Sequence, residues 1–137
     1  MVVDRQGIPL AVEVTGAHRQ DCTVLTSLVD AIPPIRGRYG RPRRRPDKFH
    51  ADKAYDHRFC RVYLRERGIK SRIARRGIES SERLGRHRWV VERTLAWLNR
   101  FRRLATRYER RVDIHEAFLR LGCILICWNF IHVKGFC

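Results

Sequence analysis

Apolar positions along the chain follow two periods. Leu10, Val12 and Val14 alternate with Ala11, Glu13 and Thr15, the pattern of a half-buried strand. Val2 and Val3 precede them across Asp4-Arg5-Gln6-Gly7, a turn with glycine where positive φ costs least, so residues 1–15 read as a β-hairpin. Val24, Leu25, Leu28 and Val29 share one face of a helix that Asp21 can cap and Pro33-Pro34 ends. Lys48 to Ala51 predicts a short central strand that stops at Asp52. Asp56 to Arg67 predicts a helix with Asp56 as its cap, Phe59, Cys60, Tyr63 and Leu64 inward, and Gly68 as its stop. Ile69 to Ala74 is a second short strand, followed by a polar loop from Arg75 to Leu84.

The longest helix is expected over Arg86 to Glu109. Val90, Thr94, Trp97, Phe101, Leu104 and Tyr108 recur there at gaps of four and three, which makes one apolar face. Arg88, Glu92, Asn99 and Arg103 gather on a side nearly opposite. Asp113 and Glu116 have the spacing of an acidic capping box. They open a final helix with Phe118, Leu121, Leu125, Ile126, Trp128 and Ile131, expected to pack on the long helix or the sheet. The order is β-β-α-β-α-β-α-α, an α/β fold without internal repeat, and 137 residues suit one domain over 1–137.

Cysteine usage and hydropathy narrow the setting. Cys22, Cys60, Cys123, Cys127 and Cys137 are odd in number, and no pair has the two-residue gap of a zinc knuckle. Cys123 and Cys127 lie one helical turn apart in an apolar segment and read as buried thiols of a reduced, cytoplasmic protein. His50, His57, His87 and His115 lack zinc-ligand spacing. The N-terminus lacks a signal-peptide pattern. The most apolar run, Leu121 to Ile131, is shorter than the ~20 residues a membrane span needs and reads as a core helix, so no membrane partner is expected.

Charge changes the picture most. Between Arg36 and Arg111 there are 26 Lys or Arg against 8 Asp or Glu, while the two ends together carry 4 basic and 6 acidic residues. The formal charge of +16 therefore belongs to the middle of the chain. A concentrated arginine field points to a polyanion, most simply nucleic acid. The loop from Ile35 to Pro46 holds Arg36, Arg38, Arg41, Arg43, Arg44 and Arg45, and reads either as a disordered basic linker or as a phosphate-contacting loop.

Within this field stands Lys48-Phe49-His50-Ala51-Asp52-Lys53-Ala54-Tyr55-Asp56. Phe49 and Ala51 can face a core, and Asp52 falls where the strand ends, the place at which open α/β sheets hold their chemistry. A carboxylate among arginines suits a metal site that meets a phosphate backbone. It equally suits a turn cap, as Glu92 equally suits an i,i+4 ion pair with Arg88 on a solvated face.

With these residues assembled, the chain resembles the C-terminal part of the catalytic domain of bacterial insertion-sequence transposases of the DDE type. Asp4 to Leu10 with Val14 to Ala17 is similar to that family's second and third strands. Ala51 to Asp56 is similar to the segment with its second catalytic Asp, Arg88 to Arg93 to the helix with its Glu, and Arg100 to Tyr108 to the basic continuation of that helix. The signature Tyr and Lys positions around the Glu are Gly85 and Asn99 here, and Arg100, Arg102 or Arg103 stands in for the lysine.

The resemblance implies an incomplete ribonuclease H-like fold in which the first central strand, and with it the first catalytic Asp, has no match. It implies Asp52 and Glu92 as catalytic residues and ligands of Mg²⁺ or Mn²⁺. It implies DNA contacts from Arg43, Arg44, Arg45, Lys53, Arg88, Arg100, Arg102 and Arg103. The expected partners are double-stranded DNA at transposon ends and target, an upstream transposase part and a second copy of the chain, in the bacterial cytoplasm at the nucleoid. The implied reaction is Mg²⁺-dependent DNA cleavage and strand transfer, with a truncated or split-gene chain expected to be inactive and of low stability alone. The competing readings are a non-catalytic basic DNA-binding protein or inactive remnant, and an RNA-binding basic protein, which explains the charge but not the Asp52 and Glu92 segments.

Overall fold

The computed structural model describes residues 1–16, 21–75 and 85–133. In chain order these form β1 (Val2–Val3), β2 (Pro9–Ala11), α1 (Leu25–Asp30), β3 (Lys48–Ala51), α2 (Arg58–Glu66), β4 (Lys70–Ile73), α3 (Gly85–Leu98), α4 (Arg102–Ala105) and α5 (Val112–Val133). Single 3₁₀ turns at Asp21–Val24 and Lys53–Tyr55 precede α1 and follow β3. The fold is α/β with two separate two-stranded sheets among the described residues, β1–β2 antiparallel and β3–β4 parallel. The chain divides into two compact units, one of Met1–Val14 with Trp89–Cys137 and one of Thr15–Arg88.

The unit of Thr15–Arg88 holds a core of Cys22, Leu25, Val29, Cys60, Leu64, Ile69 and Ile73, with Phe49, Ala51, Tyr55 and Tyr63 packed against it. All four apolar residues expected on one helical face are buried, Leu25, Leu28 and Val29 on α1 and Val24 in the 3₁₀ turn before it. On α2, Cys60 and Leu64 are fully buried, but Phe59 stays 45% exposed. Helix α2 ends as expected at Gly68, whose φ of +66° continues the chain into β4 without a Cβ penalty. The Arg45 guanidinium donates to the carbonyls of Arg67 (2.9 Å) and Gly68 (2.6 Å) at this end, where the helix dipole favours a cation. Asp56 does not cap α2. It accepts from Arg61 Nε at 2.8 Å, and Arg61 Nη2 donates onward to the Ile73 carbonyl at 2.9 Å, so the carboxylate aims an arginine at the end of β4 instead.

In the unit of Met1–Val14 and Trp89–Cys137, Asp4 closes the hairpin turn by accepting from the backbone N–H of Gln6 and Ile8, both at 2.8 Å. The expected strand from Leu10 to Val14 pairs only as far as Ala11, because β1 offers two residues before the turn begins. Gly7 has φ of +84° and lies against α3, where an added Cβ would stand 2.9 Å from Thr94 Oγ1. Thr94 is fully buried, and its hydroxyl lies within donating distance of the Gly7 carbonyl (2.8 Å) and the Val90 carbonyl (3.1 Å). Beside it, Arg93 Nη2 donates to the Gln6 carbonyl at 2.6 Å while its guanidinium sits over the rings of Trp89 and Trp97.

The single helix expected over Arg86 to Glu109 is two. Helix α3 stops at Leu98, and Phe101 adopts extended backbone before the short α4. The break lets Leu98, Leu104 and Phe101 converge on one point of α5: a Cβ added at Gly122 would lie 2.9, 3.0 and 3.4 Å from their respective side chains. Burial against that bare stretch of helix outweighs the helical period read from the apolar stripe, and Tyr108, the last of that stripe, is left 57% exposed. Helix α5 also departs from its expected role. Among its described residues only Gly122 and Ile126 are buried, and the helix is long and apolar enough to cross a membrane by length and composition. Asp113 and Glu116 form no capping box: Asp113 pairs with Arg111 at 2.6 Å and Glu116 with Arg120 at 2.6 Å.

Candidate functional site

Asp52 lies immediately past the last residue of β3, on the carboxyl side of a pair of parallel strands in register from Lys48↔Lys70 to Ala51↔Ile73. The strand forms because Phe49 and Ala51 face the core while Lys48 and His50 point to solvent. The Asp52 side chain is exposed, and one carboxylate oxygen accepts from the Ala54 N–H at 2.9 Å, capping the 3₁₀ turn that follows. The capping role and a second role for the same carboxylate are compatible, since a carboxylate has about four lone-pair positions. Lys53, in that turn, is half-buried.

Glu92 is exposed on α3, one residue before the Arg93–Thr94 clamp on the hairpin turn. The helix that carries it is therefore fixed to its own unit by one buried hydrogen bond, from Thr94, and one exposed bond, from Arg93, and not by the aromatic stripe alone. The two carboxylates belong to different compact units, Asp52 to Thr15–Arg88 and Glu92 to the other. Arg88 lies on α3, and its side chain is outside the described residues, as is the loop of residues 76–84.

The arginines expected at DNA divide by what they already hold. Arg43 pairs with Asp47 at 3.1 Å, and Arg45 caps α2. Arg44, Arg100 and Arg102 are exposed, Arg100 in the turn between α3 and α4 rather than on a continuing helix. Arg103 on α4 donates to Glu109 at 2.7 Å and lies over the Phe118 ring. That bond holds the Glu109 carboxyl below its ordinary range. The basic loop is closed at its base by an antiparallel bridge in which Ile35 and Arg43 exchange two backbone hydrogen bonds of 2.8 Å. Tyr39 projects from the tip, 84% exposed, beneath the Arg38 guanidinium.

A further basic surface had no distinct signal in a chain so rich in arginine. Arg58, Arg61 and Arg65 recur along one side of α2 and, with Lys70 and Asp56, line an open basin of about 860 Å³. The helical spacing of three and four among these arginines was its only trace in the sequence. Among the described residues the cysteines are free thiols: Cys22 and Cys60 are buried, while Cys123 and Cys127, expected to be buried, are only partly so; Cys137 lies outside the described residues. Burial pushes the Cys60, Cys123 and Cys127 thiols up, away from the reactive thiolate.

Known proteins resemble this chain over nearly its whole length. A family model described as a transposase DDE domain matches residues 1–130. A Burkholderia cepacia protein named for the transposase of insertion sequence element IS402 is 57% identical over 129 residues, which cover 94% of this chain and 61% of that protein. A Brucella ovis protein named for the transposase of insertion sequence element IS6501 is 28% identical over 131 residues, 91% of this chain and 92% of that protein. The chain thus spans about three-fifths of the length of the IS402 relative. No solved structure matches it.

Proposed function

The chain belongs to the transposase DDE domain family, and from that premise we propose that it is the part of an insertion-sequence transposase presenting the second and third acidic residues of the reaction centre, Asp52 and Glu92. The observation that carries the reading is the position of Asp52, exposed just beyond the carboxyl end of the parallel pair β3–β4. A ribonuclease H-like sheet lacking its first central strand accounts for two strand pairs that remain separate sheets. In this reading residues 1–137 are one partial catalytic domain, the substrate is double-stranded DNA at element ends and target, and the place of action is the bacterial cytoplasm at the nucleoid.

The donor set suits Mg²⁺ or Mn²⁺ by type, since hard cations take carboxylate oxygens. It falls short by number: among the described residues no three His, Cys, Asp or Glu side chains form a group that could hold a metal. In this reading the third ligand is the first catalytic Asp of the family, for which no residue here is a match, and the chain by itself should cleave little or no DNA. Bound divalent ions supply activation of the attacking water or 3′-hydroxyl and stabilisation of the leaving oxygen. The chain's own residues hold the carboxylates in place: the Ala54 N–H orients Asp52, and the clamp on the hairpin turn steadies the helix of Glu92.

Excision of a marked insertion element, driven by the full reading frame that contains this chain, tests the proposal. Asp52→Asn and Glu92→Gln should each lower excision on the order of 100-fold or more, the scale lost when a group that stabilises developing charge is removed. Excision that survives both changes would refute the assignment. The second reading, a non-catalytic DNA-binding protein, is favoured by the basin of Arg58, Arg61, Arg65 and Lys70. Under it neither carboxylate variant changes anything measurable. Affinity for any duplex then falls with salt at a slope of about −0.9 per phosphate neutralised.

A further inference from the structure

Helix α5 carries a second apolar stripe, on the side away from its packed face. Ile114, Ala117, Leu121, Ile124, Trp128 and Ile131 follow gaps of three, four, three, four and three, the 3.5-residue period of a helix-pairing seam. Every one of them is exposed, the five large ones from 41% at Ile114 to 60% at Ile124, with Leu125 beside them at 46%. Six or seven such side chains, about half uncovered, leave on the order of 500 Å² of apolar surface, the size of patch that marks an interaction site on a monomer. The stripe is not smooth. A hollow of about 280 Å³ opens over Ala117, lined by Asp113, Ile114, Phe118 and Leu121, and Trp128 stands at the other end, its ring tilted 54° against that of His132.

We propose that this face pairs with the same face of a second copy of the chain, as an antiparallel two-fold helix pair in which Trp128 of each copy fills the hollow over Ala117 of the other. The register follows from size. Antiparallel pairing about a two-fold axis between Gly122 and Cys123 sets Ile114 against Ile131, Leu121 against Ile124, and the smallest side chain, Ala117, against the largest, Trp128. A parallel pair sets Trp128 against Trp128 and leaves both hollows empty. The flanking positions Phe118 and Leu125 lie two residues from direct opposition on the same flank and widen the contact toward the ~800 Å² per partner of a standard interface.

Charge selects the same face. The net +16 resides elsewhere, while α5 carries only Asp113, Glu116 and Arg120 as Asp, Glu, Lys or Arg, and none between Leu121 and Ile131. The middle of the stripe therefore brings no charged side chain of α5 against its counterpart, and Arg103, which lies over Phe118, and Arg111, which is paired with Asp113, stand at its border. The pairing is independent of the catalytic reading, because it uses neither Asp52 nor Glu92.

Sedimentation equilibrium of the full chain, from 1 to 100 μM, tests the proposal. The wild type should show a monomer–dimer equilibrium. Trp128→Ala, which removes the central aromatic anchor, and Ala117→Trp, which fills the hollow from within, should each weaken it by at least ~30-fold. Both positions are exposed, and circular dichroism should report unchanged helix content. The double variant Ala117→Trp/Trp128→Ala exchanges the large and small residues and should restore the dimer to within a few-fold of wild type. That rescue is specific to the antiparallel register. A wild type that is monomeric at 100 μM, or a dimer indifferent to both single changes, overturns the proposal. So does a Trp128 fluorescence shift on phosphatidylcholine vesicles without self-association, which would assign the face to a bilayer. A dimer lost in a longer chain of the IS402 relative's full length overturns it too, in favour of that added segment as the occupant.

Discussion

Replacing Thr94 by valine isolates the hydrogen bond that ties the hairpin turn to α3. The two side chains have nearly the same volume, so the change opens no appreciable cavity. What it removes is one hydroxyl at a fully buried position, 2.8 Å from the Gly7 carbonyl. The Val90 carbonyl keeps its helical N–H partner, whereas the buried Gly7 carbonyl loses the Thr94 donor. A buried acceptor stripped of its partner costs about 1–3 kcal/mol. For a chain of this size each kcal/mol lowers the melting temperature by roughly 3–5 °C. Urea unfolding followed by far-UV circular dichroism should therefore show a lower midpoint at unchanged slope. Thr94→Ser, which keeps the hydroxyl and loses one methyl, should cost about 1 kcal/mol or less. A valine variant as stable as wild type would sink the reasoning. A serine variant as damaged as the valine would show that packing, not the hydroxyl, holds the turn.

Four further outcomes follow from the same structure. Gly68→Ala should destabilise by about 1–2 kcal/mol, since its φ is +66° and the new Cβ would fall on the Arg45 guanidinium. In a double-mutant cycle with Arg45→Ala the two losses should be less than additive. Gly122→Ala gains about 1 kcal/mol of helix propensity but crowds Leu98, Leu104 and Phe101, and should be net destabilising in thermal unfolding because overpacking costs up to ~3 kcal/mol. Burial and the bond to Asp30 push the Tyr63 hydroxyl up to about 12. Its contribution is complete below the ordinary phenol range near 10 and is lost as pH rises toward 12, so Tyr63→Phe should flatten the alkaline fall in stability and remove the latest phenolate from the ultraviolet titration. Glu109 is shifted the other way by Arg103, so its contribution is present above the ordinary carboxylate range and is lost as pH falls through the lowered value. Glu109→Gln should make acid unfolding shallower, and an unchanged acid limb would refute the pairing.

Elements whose signal is local were legible in the sequence. Lys48–Ala51 is the strand that the short apolar run predicts, α1 and the turn before it bury the four residues the helical period selects, and Gly68 stops α2. Position-specific partners were not. Asp56 has the chemistry of a cap but meets Arg61, and no local pattern marked Asp47 as the partner of Arg43 or the end of α2 as the partner of Arg45. The break at residues 99–101 was hidden because Phe101 and Leu104 continue the helical period, while the feature that bends the chain, the bare backbone at Gly122, lies about twenty residues further on. For the candidate site, the end of β3 placed Asp52 correctly in local structure, and the helix of Glu92 was correctly foreseen. Its anchorage by Arg93 and Thr94 was not, because a threonine on an apolar stripe carries no sign of which carbonyl it will meet.

The closed base of the arginine loop has a thermodynamic consequence. Ordering a free linker costs roughly 1–2 kcal/mol per residue in backbone freedom, and a basic segment that orders only on its partner gives up that much of its interaction energy when it binds. Here the exchange of hydrogen bonds between Ile35 and Arg43, with Arg45 fixed on the end of α2, settles part of that cost during folding. Seven residues, from Arg36 to Pro42, are left between the bridged positions, among them three arginines and the projecting Tyr39. Any polyanion that meets this tip therefore finds a small hinged plate rather than a tether. Its association should lose less entropy, and so retain more of each phosphate contact as net affinity, than the composition of the segment alone would suggest.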